Sequence, residues 1–241
     1  MLSTQLAEGV VGNNLANSGV SGFKAQLASF TPYAPESLVR LSAGSATPIG
    51  GLSSGAIIGS VSVNWSPGSP APSTNPLAVA LTGGGFFAVQ TAAGVQYTRG
   101  GDFSFNGAGT LVNPGGAAVL GTNGQPIQLP AGQSATGAKV SALGVVTAGA
   151  HTVGQLAVFQ PTLAALLPQG QGLYALAPGT AAPVGTTGVM QPGHLEQSNV
   201  DTVQQMASLM QLQQAFTADQ RSVQVAQQTA STAISQVGTV S

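Results

Sequence analysis

The sequence predicts an α+β fold in which N- and C-terminal helices form a coiled-coil-like stem around an inserted, mostly antiparallel β domain. Three observations predict it. Residues 198–238 contain no proline and no glycine before Gly238, and their apolar residues recur at three- and four-residue spacing. Residues 2–17 allow a short amphipathic helix at the other end. Between the two, short apolar runs alternate with glycine-containing turns, the pattern of small antiparallel sheets.

In chain order, residues 1–30 form an N-terminal helical segment. Leu2, Leu6, Val10 and Leu15 roughly follow helical spacing, Gly9 and Gly12 weaken it, and Asn17-Ser18-Gly19 reads as its stop. Residues 31–75 form an extended linker region broken by Pro32, Pro35, Pro48, Pro67, Pro70 and Pro72. Its exception is a strand near 57–65, where Val61, Val63 and Trp65 alternate with Ser62 and Asn64. Residues 76–185 form the β-rich middle domain. Gly83-Gly84-Gly85, Asn106-Gly107 and Asn123-Gly124 mark its turns, with Phe86 to Gln90, Leu111-Val112, Val119-Leu120 and Gly154 to Phe159 among its strands. Residues 186–197 connect to a C-terminal long helix over 198–241.

That helix starts on Ser198, a good N-cap, with Asp201 completing a capping-box-like turn. Leu209, Leu212, Phe216, Val223, Ala226, Ala230, Ala233 and Val237 form one stripe, interrupted at Asp219; Val200, Val203, Ala207 and Met210 form an offset one. A helix of about 40 residues reaches roughly 60 Å. Such a seam implies a partner helix, either the N-terminal segment or a neighbouring subunit.

Composition excludes several functions. Of 241 residues only 5% are charged, and the net charge of -1 offers no footprint for nucleic acid or anionic lipid. Apolar content is 43%, too high for a disordered chain, yet no uninterrupted run reaches the roughly 18 apolar residues of a membrane span. Without cysteine there is no disulfide, thiolate metal site or cysteine nucleophile. Residues 1–12 lack the basic and continuous apolar regions of a Sec signal peptide. Two explanations of the charge depletion stand side by side. In one the protein faces an acidic exterior, where carboxylates protonate near pH ~4 and lose their ion pairs. In the other it is compositional drift.

No chemistry-bearing constellation emerges, and no catalytic, cofactor-binding or metal-binding residue is expected. His151 and His194 stand without neighbouring carboxylates, and no cluster has metal-ligand spacing. Gly170-Gln171-Gly172-Leu173-Tyr174-Ala175 fits a loose dinucleotide pattern, but Pro178 and Gly179 end any following helix, so a turn into a strand is expected. Lys24 and Arg221 read as solvated single charges.

Four segments carry a resemblance. Asn13-Asn14-Leu15-Ala16-Asn17-Ser18-Gly19-Val20-Ser21-Gly22-Phe23-Lys24 looks like an N-N-x-A-N-x-x-T-x-G-F-K motif, with Val20 for the usual Thr. Pro76-Leu77-Ala78-Val79-Ala80-Leu81 with Gly85-Phe86-Phe87-Ala88-Val89 looks like P-L-D-V-A-I…G-F-F-x-V. Tyr97-Thr98-Arg99-Gly100-Gly101-Asp102-Phe103 followed by Gly109-Thr110-Leu111-Val112 looks like Y-T-R-x-G-x-F…G-x-L-V. Leu195-Glu196-Gln197-Ser198-Asn199-Val200 with Gln213-Gln214-Ala215-Phe216 looks like the C-terminal motif. In this order they resemble the bacterial flagellar rod and hook family. Ala78, Gly84 and Gln214 stand where that family commonly carries charge, and the family usually has a turn or two more of helix before the Asn-Asn motif.

The resemblance implies a structural subunit of the basal-body rod, an axial tube that transmits torque, built through terminal helices. It implies contact with itself, with other flagellar axial proteins of rod and hook and with the flagellar export apparatus, and a place in the extracytoplasmic basal body. It implies no enzyme activity, cofactor, nucleic acid or small-molecule substrate. A hook or hook-rod junction subunit is the alternative within the family; a secreted Gly-rich binding or adhesion module is the alternative outside it. The expected interface residues are Leu209, Leu212, Phe216 and Val223, with Val203 and Met210 from the offset stripe. Asn13, Asn14, Asn17 and Phe23 are expected to shape the N-terminal turn, the Asn side chains satisfying backbone groups at the helix end.

Overall fold

The computed structural model describes residues 2–32, 36–42, 45–52 and 56–238. Met1, Pro35 and residues 239–241, all inside segments assigned above, lie outside the described residues. The chain divides into two compact units interleaved in sequence. The first comprises residues 1–16, 26–64 and 201–241; the second comprises residues 17–25 and 65–200.

In the first unit, α1 (Leu2–Ala16) leads to β1 (Gln26–Pro32), β2 (Glu36–Ser42), β3 (Ser45–Leu52) and β4 (Ala56–Val63), and the unit closes with α2 (Thr202–Gly238). β1 pairs antiparallel with β4, Gln26 opposite Val63, and the β2–β3 pair is nested between them in sequence. The prolines of residues 31–75 therefore leave room for more strand than the expected one near 57–65. β4 covers much of that strand, but Val61 is exposed, so the expected alternation does not hold there.

The coiled-coil-like stem is a correction. α1 has only 15 residues against 37 in α2, and Leu2 and Leu6, the first positions of its expected stripe, are exposed. Ala7 and Asn14 are its buried residues. Residues 220–232 of α2 are exposed without a break. α1 is short, its buried residues are small or polar, and Val10 and Val11 are only half-buried, so no seam of interlocking apolar side chains runs between the two ends. The α2 start also shifts. Asp201, not Ser198, is the N-cap: its Oδ1 accepts from the backbone N–H of Val203 at 3.0 Å and Gln204 at 3.1 Å. Ser198 instead turns back on Val200 N–H.

The second unit is built from antiparallel strands: β5 (Pro70–Pro72), β6 (Val79–Leu81), β7 (Phe87–Thr91), β8 (Gly94–Thr98), β9 (Ser104–Phe105), β10 (Leu111–Val112), β11 (Ala118–Val119), β12 (Lys139–Val140), β13 (Val145–Ala148), β14 (His151–Gln155), β15 (Leu166–Gly170), β16 (Leu173–Leu176), β17 (Met190–Pro192) and β18 (His194–Glu196). Seven of them form one sheet in the order β15-β16-β8-β7-β11-β10-β9, beside a β12-β13-β14 meander. The mostly antiparallel β character expected from the sequence is present.

Its turns follow Asn chemistry. Asn106 Oδ1 accepts from Ala108 and Thr110 N–H, and Asn123 Oδ1 accepts from Gln125 N–H. The core gathers Leu77, Val79, Phe87, Phe103, Leu111 and Leu156, with the Phe87 and Phe103 rings edge to face at 5.0 Å. β17 pairs with β6 and β18 with β5, which brings the segment preceding α2 back into this unit.

Candidate assembly site

Residues 17–24 enter the second unit as a tight turn. Val20 N–H reaches Asn17 O and Phe23 N–H reaches Val20 O. Gly22 then adopts φ +70°, and a Cβ there would stand 2.4 Å from the Arg99 carbonyl carbon, so only glycine fits. Its N–H donates to Glu196 O at 2.7 Å. The next two side chains, Phe23 and Lys24, are buried.

Lys24 is 2% exposed, which corrects its reading as a solvated charge. Its Nζ lies 2.5 Å from Glu196 Oε1 and donates to Ser66 O at 2.8 Å. Arg99, at the end of β8, donates from Nε to Glu196 Oε2 at 2.9 Å; its Nη2 is also 2.9 Å from that oxygen. Arg99 Nη1 donates to Gly83 O and Gly85 O, which anchors the glycine turn before β7. Gly68 N–H completes the carboxylate shell at 3.0 Å. One buried carboxylate thus joins the N-terminal motif, the Tyr-Thr-Arg motif and the C-terminal motif. Burial holds the Lys24 ammonium below its usual range, with Glu196 pulling the other way and Arg99 adding repulsion.

Asn199 stitches the same parts again: its Oδ1 accepts from Ala25 N–H at 2.8 Å and its Nδ2 donates to Ser66 O at 2.9 Å. Beside the cluster a cavity of about 570 Å3 is lined by Trp65, Leu81, Phe86 and Leu163 together with Lys24, Arg99 and Glu196. Trp65 packs on Tyr174 at 5.0 Å, and burial pushes the Tyr174 hydroxyl up to about 12 while a hydrogen bond from the Lys24 backbone opposes the shift. The three ionic groups are committed to one another and to backbone, so the arrangement holds chain segments together rather than presenting a reactive group. His151 lies exposed at the β13–β14 turn, and His194 Nδ1 sits 3.1 Å from Pro192 O. Among the described residues no three His, Asp or Glu side chains gather as a metal site, and no helix is long and apolar enough to cross a membrane.

In the first unit Asn14 takes the corresponding bracing role. It brackets Gln26, donating from Nδ2 to Gln26 O and accepting on Oδ1 from Gln26 N–H, both at 2.8 Å; Nδ2 also reaches Gln205 Oε1 at 3.2 Å. A groove of about 440 Å3 lies here, lined by Val10, Val11, Leu27, Phe30, Leu212 and Ala215 among others.

The residues expected at an interface separate into two groups. Asn14 and Phe23 are buried, and Asn13, Asn17, Leu209, Leu212 and Phe216 are half-buried. Val203 at 78%, Met210 at 58% and Val223 at 44% are exposed on α2. Asn14 and Leu212 meet around one groove. Sequence reasoning missed Gly22, Lys24, Arg99, Glu196 and Asn199 as a unit. Lys24 and Glu196 are 172 positions apart, so no local pattern links them; the available signal was that every member lies inside one of the four motifs.

Comparison with known proteins matches two stretches of the chain to families. Residues 80–148 match the domain described as flagellar hook protein FlgE/F/G D1, and residues 191–236 match the flagellar basal body rod FlgEFG protein C-terminal domain. The chain is similar to the flagellar basal-body rod protein FlgG of Bacillus subtilis, 32% identical over 223 residues that cover 86% of this chain and 84% of that protein. It is similar to the flagellar basal-body rod protein FlgF of Caulobacter vibrioides, 31% identical over 211 residues, 86% of this chain and 82% of the relative. It is also 31% identical over 255 residues to the FlgG of the same organism, 95% of this chain and 92% of the relative.

Proposed function

The chain belongs to the flagellar basal-body rod protein family, and on that premise we propose that it is a structural subunit of the rod that joins its neighbours through α2 and the groove beside it. One observation carries the assembly reading: α2 runs for 37 residues, yet Val203, Met210, Val225 and Ile234 remain exposed on it. A helix with that much uncovered apolar surface is completed by a neighbour. Apolar area gains about 25 cal/mol for every Å2 removed from water. Contacts between different patches of identical subunits leave free ends and propagate, which is how a rod grows.

The second unit supplies a rigid body for transmitting torque. Within it the Lys24, Arg99 and Glu196 cluster ties the turn at residues 17–24 and strand β18 to the end of β8. The partners are other axial proteins of the flagellum and further copies of this chain. We place it outside the cytoplasm, delivered by the flagellar export apparatus, and assign it no catalytic role, since its buried ionic groups are bonded to one another and to backbone.

The test is genetic and structural. A deletion strain should yield basal bodies with an incomplete rod by electron microscopy, and re-expression should restore it. Phe216→Asp, which places a carboxylate on the half-buried face of α2, should block incorporation while leaving the second unit folded. Normal basal bodies in the deletion strain would defeat the rod reading.

A further inference from the structure

The cavity beside the Lys24, Arg99 and Glu196 cluster is not required by the rod reading. Its volume of about 570 Å3 falls within the range of small-molecule sites. All of its lining belongs to the second unit, so it is a feature of one folded body. Trp65, Leu81, Phe86 and Leu163 supply apolar walls. Trp65 is half-buried and stands edge-on to Phe86 at 5.6 Å. The exposed turn Thr82-Gly83-Gly84 also lines the cavity, and Arg99 Nη1 fixes that turn by donating to Gly83 O and Gly85 O.

Charge and hydrogen-bond donors are both in excess there. Among the described residues that line the cavity, the ionisable ones are Lys24, Arg99 and Glu196. Two cations share one carboxylate, which leaves one formal positive charge over. Asp102, three residues from Arg99, is not part of the lining and accepts from Asn75 Nδ2 instead. An ammonium has three hydrogens, and Glu196 and Ser66 O take two of those on Lys24. A guanidinium has five: Glu196 takes the one on Nε and one on Nη2 of Arg99, and Gly83 O and Gly85 O take the two on Nη1. One hydrogen on each cation is left without an acceptor among the described residues, on side chains buried as deeply as Phe23 and Leu166.

We infer that this cavity binds a small amphipathic monoanion, a carboxylate that carries an apolar tail. The carboxylate takes the spare hydrogens of Lys24 and Arg99, and the tail lies along Trp65, Leu81, Phe86 and Leu163. Each property of the ligand follows from the lining. One excess positive charge calls for one negative charge. A dianion such as phosphate would overshoot it and would carry a strongly hydrated group between apolar walls. A cation would add to a buried excess that is already present. A wholly apolar molecule would cover two buried donors and leave them unmatched. The ligand is held by charge, hydrogen bonds and apolar contact, and no covalent bond forms or breaks.

The experiment titrates octanoate into the purified full-length chain. Trp65 is the single tryptophan and lines the cavity, so its fluorescence reports occupancy directly. Octanoate should change that fluorescence saturably, with half-saturation below about 1 mM, and octanol, which brings no charge, should bind at least about tenfold more weakly. Gly84→Asp adds a competing carboxylate to the lining; a Cβ there meets no atom within 4 Å, and Gly84 lies outside the left-handed region, so the turn accepts it. This variant should bind octanoate at least about tenfold more weakly, whereas Gly84→Asn, equal in size and uncharged, should differ from the parent by less than about threefold. Lys24→Met leaves Arg99 and Glu196 as a balanced pair and should erase the preference for octanoate over octanol, while the Gly84 pair tests the charge without touching the buried cluster. Equal affinity for octanoate and octanol, a Gly84→Asp variant that binds like the parent, or no saturable change up to about 10 mM would overturn the proposal. It would also fall if octanoate disperses self-associated chain in sedimentation, because the cavity would then seat a neighbouring subunit's carboxylate rather than a free ligand.

Discussion

The second unit and α2 handle polarity in opposite ways. The β unit buries a lysine, an arginine and a glutamate together and satisfies them with backbone carbonyls and N–H groups. α2 leaves valine, methionine and isoleucine in solvent and carries almost no charge. In the first, expensive groups are hydrogen-bonded within the chain, two cations sharing one carboxylate and backbone carbonyls taking further donors. In the second, the groups left uncovered are those that a neighbour can cover without bringing counter-ions. The difference teaches how the proposed assembly divides its labour: ionic bonds organise the second unit, and the exposed apolar and neutral polar surface of α2 is the surface proposed to join subunits.

The strongest way to break that comparison is to empty the centre of the matched cluster. Glu196→Gln leaves two cations buried against a neutral amide and should cost about 3–5 kcal/mol. The loss should appear in the unfolding transition followed by Trp65 fluorescence, with the helical circular-dichroism signal of α2 little changed. A small loss would mean that the cluster is decorative. Gly22→Ala comes next: a Cβ at φ +70° and 2.4 Å from the Arg99 carbonyl carbon should cost at least about 2 kcal/mol in the same assay.

Alkaline pH sharpens the comparison from another side. The folded state keeps the Tyr174 proton up to about 12, whereas the unfolded chain releases it near 10. Between those values the unfolded state binds fewer protons, so stability falls as pH rises, by up to about 2–3 kcal/mol. Burial raises Tyr97 in the same direction. Lys24 acts oppositely: its lowered value means that the folded state sheds that proton first, so its contribution to stability increases as pH approaches 10.5. Urea titrations across this range should show a rise and then a fall, and Tyr174→Phe should flatten the fall. The smallest expected effect lies on α2. Asp201→Ala removes the cap of the first turn and should cost about 1 kcal/mol of helix stability, read by circular dichroism on thermal unfolding.

Local chemistry made much of this fold legible. Asn106-Gly107 and Asn123-Gly124 marked turns because an Asn side chain can close them unaided. The lack of proline and early glycine marked α2 nearly to its ends, and the cap moved three residues because Asp201 offers two bonds where Ser198 forms a short turn of its own. The long-range arrangement was not legible. Apolar spacing at both termini suggested a stem, but spacing says nothing of side-chain size or length, and a 15-residue α1 that buries Ala7 and Asn14 and leaves Val10 and Val11 half-buried does not build one. Lys24 looked solvated because its carboxylate partner stands 172 residues away. The strands at residues 26–52 were hidden by prolines that the β1–β4 and β2–β3 pairs accommodate at Pro32 and Pro48.

Hydrogen exchange along α2 tests the central claim most directly. If this helix is completed by its neighbours, its amides over residues 220–232 should exchange quickly in the free chain and slow by at least about a hundredfold in isolated rods, while β7 and β8 remain protected in both. Equal protection of α2 in the free chain and in rods would contradict the account.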